Sequence, residues 1–222
     1  MRFSDYFKDS TKPVISFELF PPKTDRGLQT LKNRVLPNLV KLEPSYITVT
    51  YGAGGSTQGR TLEIASAVKN DYNLESACHL TCVGASKSEI EGVVRKIADE
   101  GIENIVALRG DPPQGQENFV AHAEGFAHAN ELVSHIRSIE DPDRPFGLAV
   151  AGYPEKHLEA ESLDVDITNL KRKVDTGADL VITQLFYDNA AFFSYRDKVR
   201  AAGIDIPVVP GLMPIQSSSQ IQ

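Results

Sequence analysis

Short apolar runs alternate with longer amphipathic segments along the whole chain. The runs have the length of buried β-strands, and the segments between them place apolar residues at helical spacing. We predict seven strands, at 14–20, 46–51, 76–82, 103–109, 146–153, 180–186 and 206–212. Regular alternation of strands and helices predicts a parallel sheet with right-handed crossover connections.

Two of the intervening helices have clear ends. Ser86 and Glu89 predict a capping box at the start of the first helix, and Gly101 predicts its end. Between them, one face collects the apolar residues Ile90, Val93, Val94, Ile97 and Ala98. The segment 164–177 follows the same logic and ends at Gly177.

The two faces of the predicted strands differ in bulk, which separates a barrel from an open sheet. One face carries large apolar side chains, and the other carries small or polar ones. In the second predicted strand, Ile47, Val49 and Tyr51 oppose Thr48 and Thr50; in the third, Cys78, Leu80 and Cys82 oppose Ala77, His79 and Thr81; in the fifth, Leu148 and Val150 oppose Ala149, Ala151 and Tyr153. An open sheet covered by helices on both sides would be apolar on both. Large residues facing outer helices around a small, polar interior predict a TIM (βα)8-type barrel.

The length of the chain predicts that this barrel is incomplete. A full barrel has eight strands and about 250 residues, whereas 222 residues here carry about seven βα units. We therefore expect one domain, 1–222, that lacks the last strand and helices. Its first and last strands would have unpaired edges.

Composition and charge exclude several classes of protein. A net charge of -7 and a pI near 5.3 disfavour nucleic-acid or anionic-membrane partners. The sequence has no apolar run near the roughly 20 residues of a membrane span, and its N-terminus does not resemble a signal peptide. Cys78 and Cys82 lie on one predicted strand, too far apart for a disulfide, so we expect reduced thiols and a cytoplasmic protein. A metal site at Cys78, His79 and Cys82 is disfavoured because no second ligand pair occurs at zinc spacing.

Polar residues stand where four of the apolar strands end, namely Glu18, Thr50, Asp111 and Gln184. Ligands bind at the carboxyl ends of parallel strands, so these side chains predict a single site. The apolar neighbours of Glu18 would keep its acid protonated near neutral pH, as a general acid requires. Pairing of Glu18 with a cation inside the barrel is an equally weighted alternative. Asp111 follows Gly110, where a ligand could approach the backbone, but it could also simply cap a turn.

A helix near the C-terminal side carries polar residues on one stripe, Asp166, Asn169 and Lys173. Together with Arg172, Lys173 could bind a phosphate or pyrophosphate, with Asp166 on a ribose hydroxyl. A solvated helix face is the plainer interpretation. Upstream of this helix, Tyr153 could stack on a ring system or fill the barrel mouth. His79 in mid-strand is more often a locally satisfied core residue.

These residues lie in motifs that resemble the methylenetetrahydrofolate reductase family over essentially the whole chain. The motifs, in order, are Phe17-Glu18-Leu19-Phe20-Pro21-Pro22, Val49-Thr50-Tyr51-Gly52-Ala53, His79-Leu80-Thr81-Cys82, Ala107-Leu108-Arg109-Gly110-Asp111, Gly152-Tyr153-Pro154-Glu155-Lys156-His157, Asn169-Leu170-Lys171-Arg172-Lys173-Val174-Asp175 and Ile182-Thr183-Gln184-Leu185-Phe186.

The resemblance implies an FAD-containing barrel that reduces 5,10-methylenetetrahydrofolate to 5-methyltetrahydrofolate with NAD(P)H, for methionine synthesis, and that forms a homo-oligomer. It implies that Glu18 is the general acid, that Asp111 stabilises a cationic iminium near flavin and pterin, and that Gln184 binds the pterin. The implied FAD site also includes Thr50, His79, Leu108, Arg109, Gly110, Asp111, His128, Ala129, Tyr153, His157, Asp166, Asn169, Arg172 and Lys173. His128 departs from the tyrosine that is frequent in the family.

Three hypotheses remain open at this point. The first is an FAD-dependent reductase. The second is a non-catalytic fragment of such an enzyme that binds flavin weakly or not at all. The third is a barrel lyase or aldolase with phosphate anchors, which the lack of a well-placed Schiff-base lysine at a strand end disfavours.

Overall fold

The protein is described here from a computed structural model. The described residues are 1–8, 11, 13–52, 58–112, 115 and 119–218. Ala53, which ends one of the motifs above, lies outside the described residues, as does the end of the chain after 218.

Seven parallel strands form one sheet in which each strand pairs with the next along the chain. They are β1 (Ser16–Leu19), β2 (Tyr46–Val49), β3 (Glu75–Thr81), β4 (Asn104–Leu108), β5 (Gly147–Gly152), β6 (Leu180–Thr183) and β7 (Val208–Val209). All seven predicted strands are therefore confirmed, although most are shorter than predicted. The seventh shrinks most, since Pro207 and Pro210 flank its two residues and proline donates no ladder hydrogen bond.

Helices connect successive strands. They are α1 (Asp25–Thr30), α2 (Leu36–Val40), α3 (Gln58–Ser66), α4 (Lys87–Asp99), α5 (Ala129–Ile139), α6 (Leu163–Asp175) and α7 (Asn189–Ala201). Wider π-helical turns, Leu31–Val35 and Ala67–Asp71, join α1 to α2 and extend α3.

Helix α4 has the ends that the sequence predicts. The Ser86 hydroxyl accepts a hydrogen bond from the Glu89 N–H, and the Glu89 carboxylate accepts from the Ser86 N–H. At the other end, Gly101 takes a φ of +72°, which favours glycine. The buried face of α4 includes Ile90 and Ile97. Helix α6 is confirmed as well, with Ser162 as its N-cap and Gly177 at a φ of +115°.

The sheet separates two apolar clusters, as a barrel does. The large residues of its outer face, such as Leu80, Leu148 and Val150, pack with the helices in the main core. The inner face contributes Tyr46, Ala77, Val106, Ala149 and Leu180 to a second, smaller cluster. An open sheet covered on both sides is thus excluded, and the fold is an α/β barrel of TIM type.

The segment that closes the inner cluster was not predicted from the sequence. A 3₁₀ helix, Phe3–Phe7, lies at the amino ends of the strands and fills the barrel from below with Phe3. The Asn104 side chain holds this segment by accepting from the Phe3 N–H at 2.8 Å and donating to the Met1 carbonyl at 2.9 Å. Gly147 makes room for it, because a Cβ there would lie 2.3 Å from Asn104 Oδ1.

The barrel is incomplete, as predicted. Among the described residues, no pairing joins β1 to β7, so the seven strands form a curled sheet with two free edges. Cys78 and Cys82 are both free and buried. Burial raises the pKa of Cys78 to about 12 and that of Cys82 to about 11.

Candidate active site

Glu18 lies on β1 at the carboxyl end of the barrel. Its register with Thr48 and, through Thr48, with Ala77 places it on the inner face of the sheet. There its Oε2 lies 3.4 Å from Nε2 of His79, whose side chain is only 10% exposed. A carboxylic acid and an imidazole therefore share the mouth of the barrel.

The predicted desolvation of Glu18 by its chain neighbours is wrong. Successive residues of a strand point to opposite faces, and Phe17 and Leu19 accordingly pack into the outer core, away from the carboxylate. Phe20, which follows, is exposed. The Glu18 side chain is 43% exposed, so the described residues do not enclose its carboxylate.

Two polar atoms on the inner face of β3 are buried without a hydrogen-bond partner among the described residues. They are Nε2 of His79, whose contact with Glu18 lacks hydrogen-bond geometry, and Oγ1 of Thr81. Both residues have the same strand parity as Ala77, so both face the barrel interior. Buried polar groups are normally satisfied, so these atoms are available to a ligand in the mouth.

The chain after β4 packs closely against the chain after β3. Gly110 has a φ of +89°, and a Cβ there would lie 2.7 Å from Val83 Cγ1, so only glycine fits. Leu108 packs against the inner cluster, and the Asp111 side chain after Gly110 is exposed. On the neighbouring side, the Thr50 N–H continues the β1–β2 ladder by donating to the Leu19 carbonyl at 2.9 Å.

Arg109 makes a two-point ion pair with the loop that follows the adjacent strand, β5. Its two terminal nitrogens donate to the two carboxylate oxygens of Glu159, each at 2.6 Å. The ring of Phe119 covers the guanidinium, with its centroid 4.7 Å away. This pairing raises the pKa of Arg109 and lowers that of Glu159, so both are charged at neutral pH.

The loop between β5 and α6 brings three more of the predicted residues together. The rings of Tyr153 and His157 meet edge to face with centroids 4.8 Å apart. The His157 N–H donates to Oδ2 of Asp166, a buried residue in the first turns of α6, at 3.0 Å. Burial, and then the charge of Asp166, raises the pKa of the Tyr153 phenol to about 12.

The predicted polar stripe on α6 divides into two parts. Lys173 turns inward, where its amine donates to the Ala151 carbonyl at 2.6 Å and lies 5.8 Å from the Tyr153 ring centroid. Desolvation lowers the pKa of this amine to about 8. Arg172 stays exposed and donates to Asn169 Oδ1 at 2.9 Å.

The remaining predicted residues lie at the same end of the strands but outside this contact network. Gln184, after β6, is exposed, and its side-chain oxygen accepts from the Leu185 N–H at 2.9 Å. His128 is the N-cap residue of α5 and Ala129 its first residue. His128 lies close enough to Glu159 for its charge to help lower the pKa of that carboxyl.

Sequence reasoning missed Glu159, Phe119 and Thr81. Thr81 could have been found, because the period-two alternation of β3 puts it on the face of His79. Glu159 and Phe119 lie on loops, and nothing in their neighbourhood marks a partner 50 residues away, as Arg109 is from Glu159. Within the described residues, no three His, Cys, Asp or Glu side chains are grouped so that they could hold a metal ion.

Comparison with known families decides the relationship of this chain. The family model for methylenetetrahydrofolate reductase matches residues 2–222. The chain belongs to the methylenetetrahydrofolate reductase family. Among curated relatives, "Methylenetetrahydrofolate reductase (NADH) 1" of Arabidopsis thaliana is 45% identical over 98% of this chain, which spans 38% of that protein. The "5,10-methylenetetrahydrofolate reductase" of Escherichia coli is 40% identical over 93% of this chain, which spans 66% of that protein.

Solved structures of other proteins share the fold of this methylenetetrahydrofolate reductase family member at low identity. An oxaloacetate acetylhydrolase superposes over 99% of this chain and 74% of its own, with a TM-score of 0.64 and 11% identity. An uncharacterized Clostridium thermocellum protein, solved with two copies of 5-methyl-5,6,7,8-tetrahydrofolic acid, covers 95% of this chain and 69% of its own, with a TM-score of 0.63 and 15% identity. Among the described helices, none combines the length and hydrophobicity that crossing a membrane requires.

Proposed function

We propose that this chain is the single FAD-binding reductase barrel domain, 1–222, of a methylenetetrahydrofolate reductase. It would reduce 5,10-methylenetetrahydrofolate to 5-methyltetrahydrofolate with NAD(P)H as the electron donor. Family membership supports the reaction. The observation that carries the proposal to particular residues is the inward-facing carboxylate of Glu18, beside His79, at the carboxyl end of the barrel. Family membership also leads us to propose a homo-oligomer, and the two buried free thiols lead us to propose a cytoplasmic location.

The residues of the mouth fit FAD. Nε2 of His79 and Oγ1 of Thr81 are buried polar atoms without a described partner, as ligand-binding groups are. Gly110 lets the chain that carries Asp111 pack directly against Thr81 and Val83, where a Cβ would collide with both side chains. Arg109, Arg172 and Lys173 would hold the pyrophosphate, with Thr50, Tyr153, His157, Asp166, Asn169, His128 and Ala129 completing the site. When bound, FAD supplies the hydride that it has received from NAD(P)H.

The roles of the protein groups follow from the charge changes of the reaction. Glu18 donates a proton to a nitrogen of the folate five-membered ring, so that the ring opens and its methylene carbon becomes electrophilic. The exposed carboxylate of Asp111 stabilises the resulting cation, and the amide of Gln184 binds the pterin. Each turnover consumes one hydride and one proton, and the proton comes through Glu18.

Glu18→Gln tests this assignment. We expect the variant to lose folate reduction by at least about a hundredfold, the usual contribution of a general acid, while NAD(P)H still reduces its flavin. Stopped-flow absorbance at the flavin band measures the two half-reactions separately. Glu43→Gln, an exposed carboxylate in the turn before β2 and so at the opposite end of the barrel, is the matched control. Equal losses in both half-reactions would contradict the acid role.

A second candidate function is a non-catalytic fragment with weak or no flavin affinity. It is favoured by the strand order, because among the described residues β1 and β7 do not pair and the wall of the barrel is open between them. The colour of the purified protein separates the two. A flavin absorption band, retained or gained with added FAD, supports the reductase; a colourless protein that gains no band with added FAD supports the fragment.

A further inference from the structure

Glu159 occupies a central position in the candidate site although the resemblance assigns it no role. It lies on the loop between β5 and α6, and its carboxylate binds both terminal nitrogens of Arg109, at the end of β4. Most exposed ion pairs contribute little, but a bidentate arginine–carboxylate pair has the geometry in which such pairs do matter. The Arg109 side chain is 19% exposed and that of Glu159 57%.

A second contact links Glu159 to another predicted cofactor residue. Its backbone N–H donates to Nδ1 of His157 at 3.1 Å. Because Nδ1 accepts this hydrogen bond, a neutral His157 carries its proton on Nε2. The His157 N–H in turn donates to Asp166. Glu159 therefore touches Arg109 with its side chain and His157 with its backbone.

The geometry of the pair leaves Arg109 able to bind a second acceptor. A guanidinium has five N–H donors in a fixed plane, and the end-on carboxylate uses two of them. The three others have no hydrogen-bond partner among the described residues. The Phe119 ring lies against the guanidinium. The remaining donors lie in the guanidinium plane on its two sides, and the side that carries Nε–H and one terminal N–H offers a second parallel pair of donors, the geometry that binds a phosphate.

We propose that Glu159 is a positioning residue of the cofactor site, which orients the Arg109 guanidinium toward FAD. This inference rests on the function proposed above. Glu159 carries a negative charge beside an anionic cofactor, so two effects of its removal oppose each other. If the carboxylate only competed with FAD for Arg109, removing it would tighten binding. If it orients Arg109, removing it weakens binding, because the freed side chain loses its fixed direction.

The test compares FAD affinities of Glu159→Ala, Glu159→Gln and the control Glu161→Ala, which removes an exposed carboxylate from the same loop. Quenching of flavin fluorescence on titration with FAD gives each Kd. We expect about a tenfold weaker Kd for Glu159→Ala, or about 1.4 kcal/mol. The glutamine variant keeps one acceptor oxygen and should fall between it and the parent. Glu161→Ala should equal the parent.

A double-variant cycle distinguishes positioning from a general structural effect. In an Arg109→Ala background, Glu159→Ala should have no further effect on the Kd if Glu159 acts through Arg109. An equal loss in both backgrounds, an unchanged Kd or a tighter Kd would each overturn the inference. A parent chain that binds no FAD at all would instead refute the proposed function, and this inference with it.

Discussion

At the scale of single residues, Lys173 shows the strongest conflict between charge and burial. Its amine is held by the Ala151 carbonyl beneath the Tyr153 ring, and desolvation lowers its pKa from 10.5 to about 8. The unfolded chain keeps the ordinary value, so between pH 8 and 10.5 the unfolded chain binds a proton that the folded chain does not. The free energy of unfolding from this group therefore rises with pH across that window. Below pH 8 the folded chain bears the cost of a buried charge.

Lys173→Met removes that cost. We expect the variant to be more stable than the parent at pH 7 by about 1 to 3 kcal/mol, given about 1.4 kcal/mol per pKa unit, and to bind FAD less tightly. The stability difference should shrink from pH 8 to 10.5. Urea unfolding at pH 7, 8.5 and 10 measures it, and the comparison cancels the tyrosines and cysteines that titrate in both proteins. Lys171→Met, two residues earlier on α6 and paired with Asp175, is the control. A difference that did not change with pH would contradict the assignment.

At the scale of elements, helix α4 depends on its capping box. Ser86 is buried, and its N–H and hydroxyl both donate to the Glu89 carboxylate, which keeps the pKa of that carboxyl low. Ser86→Ala removes the hydroxyl that accepts from the Glu89 N–H. We expect a loss of about 1 kcal/mol in the free energy of unfolding. Urea unfolding at neutral pH measures it, and Ser86→Thr, which keeps the hydroxyl, should lose less. Equal losses would mean that packing, not capping, determines the effect.

Such elements are what the sequence could predict. Caps, apolar spacing and the period of two act within a few residues, so α4, α6, all seven strands and the two faces of the sheet followed from local pattern. Contacts between distant loops have no local signature. The Arg109–Glu159 pair and the exposure of Glu18 depend on how separate elements meet. The 3₁₀ helix Phe3–Phe7 was not predicted because its five residues of mixed polarity show no periodicity.

At the scale of the whole molecule, the two ends of the barrel differ in role: one end contributes to stability and the other carries the candidate site. The lower end is filled by Phe3, which is fully buried among Tyr46, Ala77 and other inner-face residues. The upper end carries the polar residues of the candidate site. In barrels of this type, chemistry lies at the carboxyl ends of the strands and the opposite end serves stability. The two properties should therefore respond separately to substitution.

Phe3→Ala tests this separation. Deleting a fully buried phenylalanine should cost about 3 to 5 kcal/mol in the free energy of unfolding, because the Phe3 ring packs against Tyr46 within the inner cluster and its loss leaves a cavity there. Urea unfolding gives the loss, and flavin titration at a temperature where the variant remains folded gives the Kd for FAD, which should match that of the parent. Phe193→Ala, which truncates an exposed ring on α7, should change the stability little. A folded Phe3→Ala protein that binds FAD more weakly than the parent would show that packing of Phe3 at the lower end affects the cofactor site through the strands. Stability and binding would then not be separable.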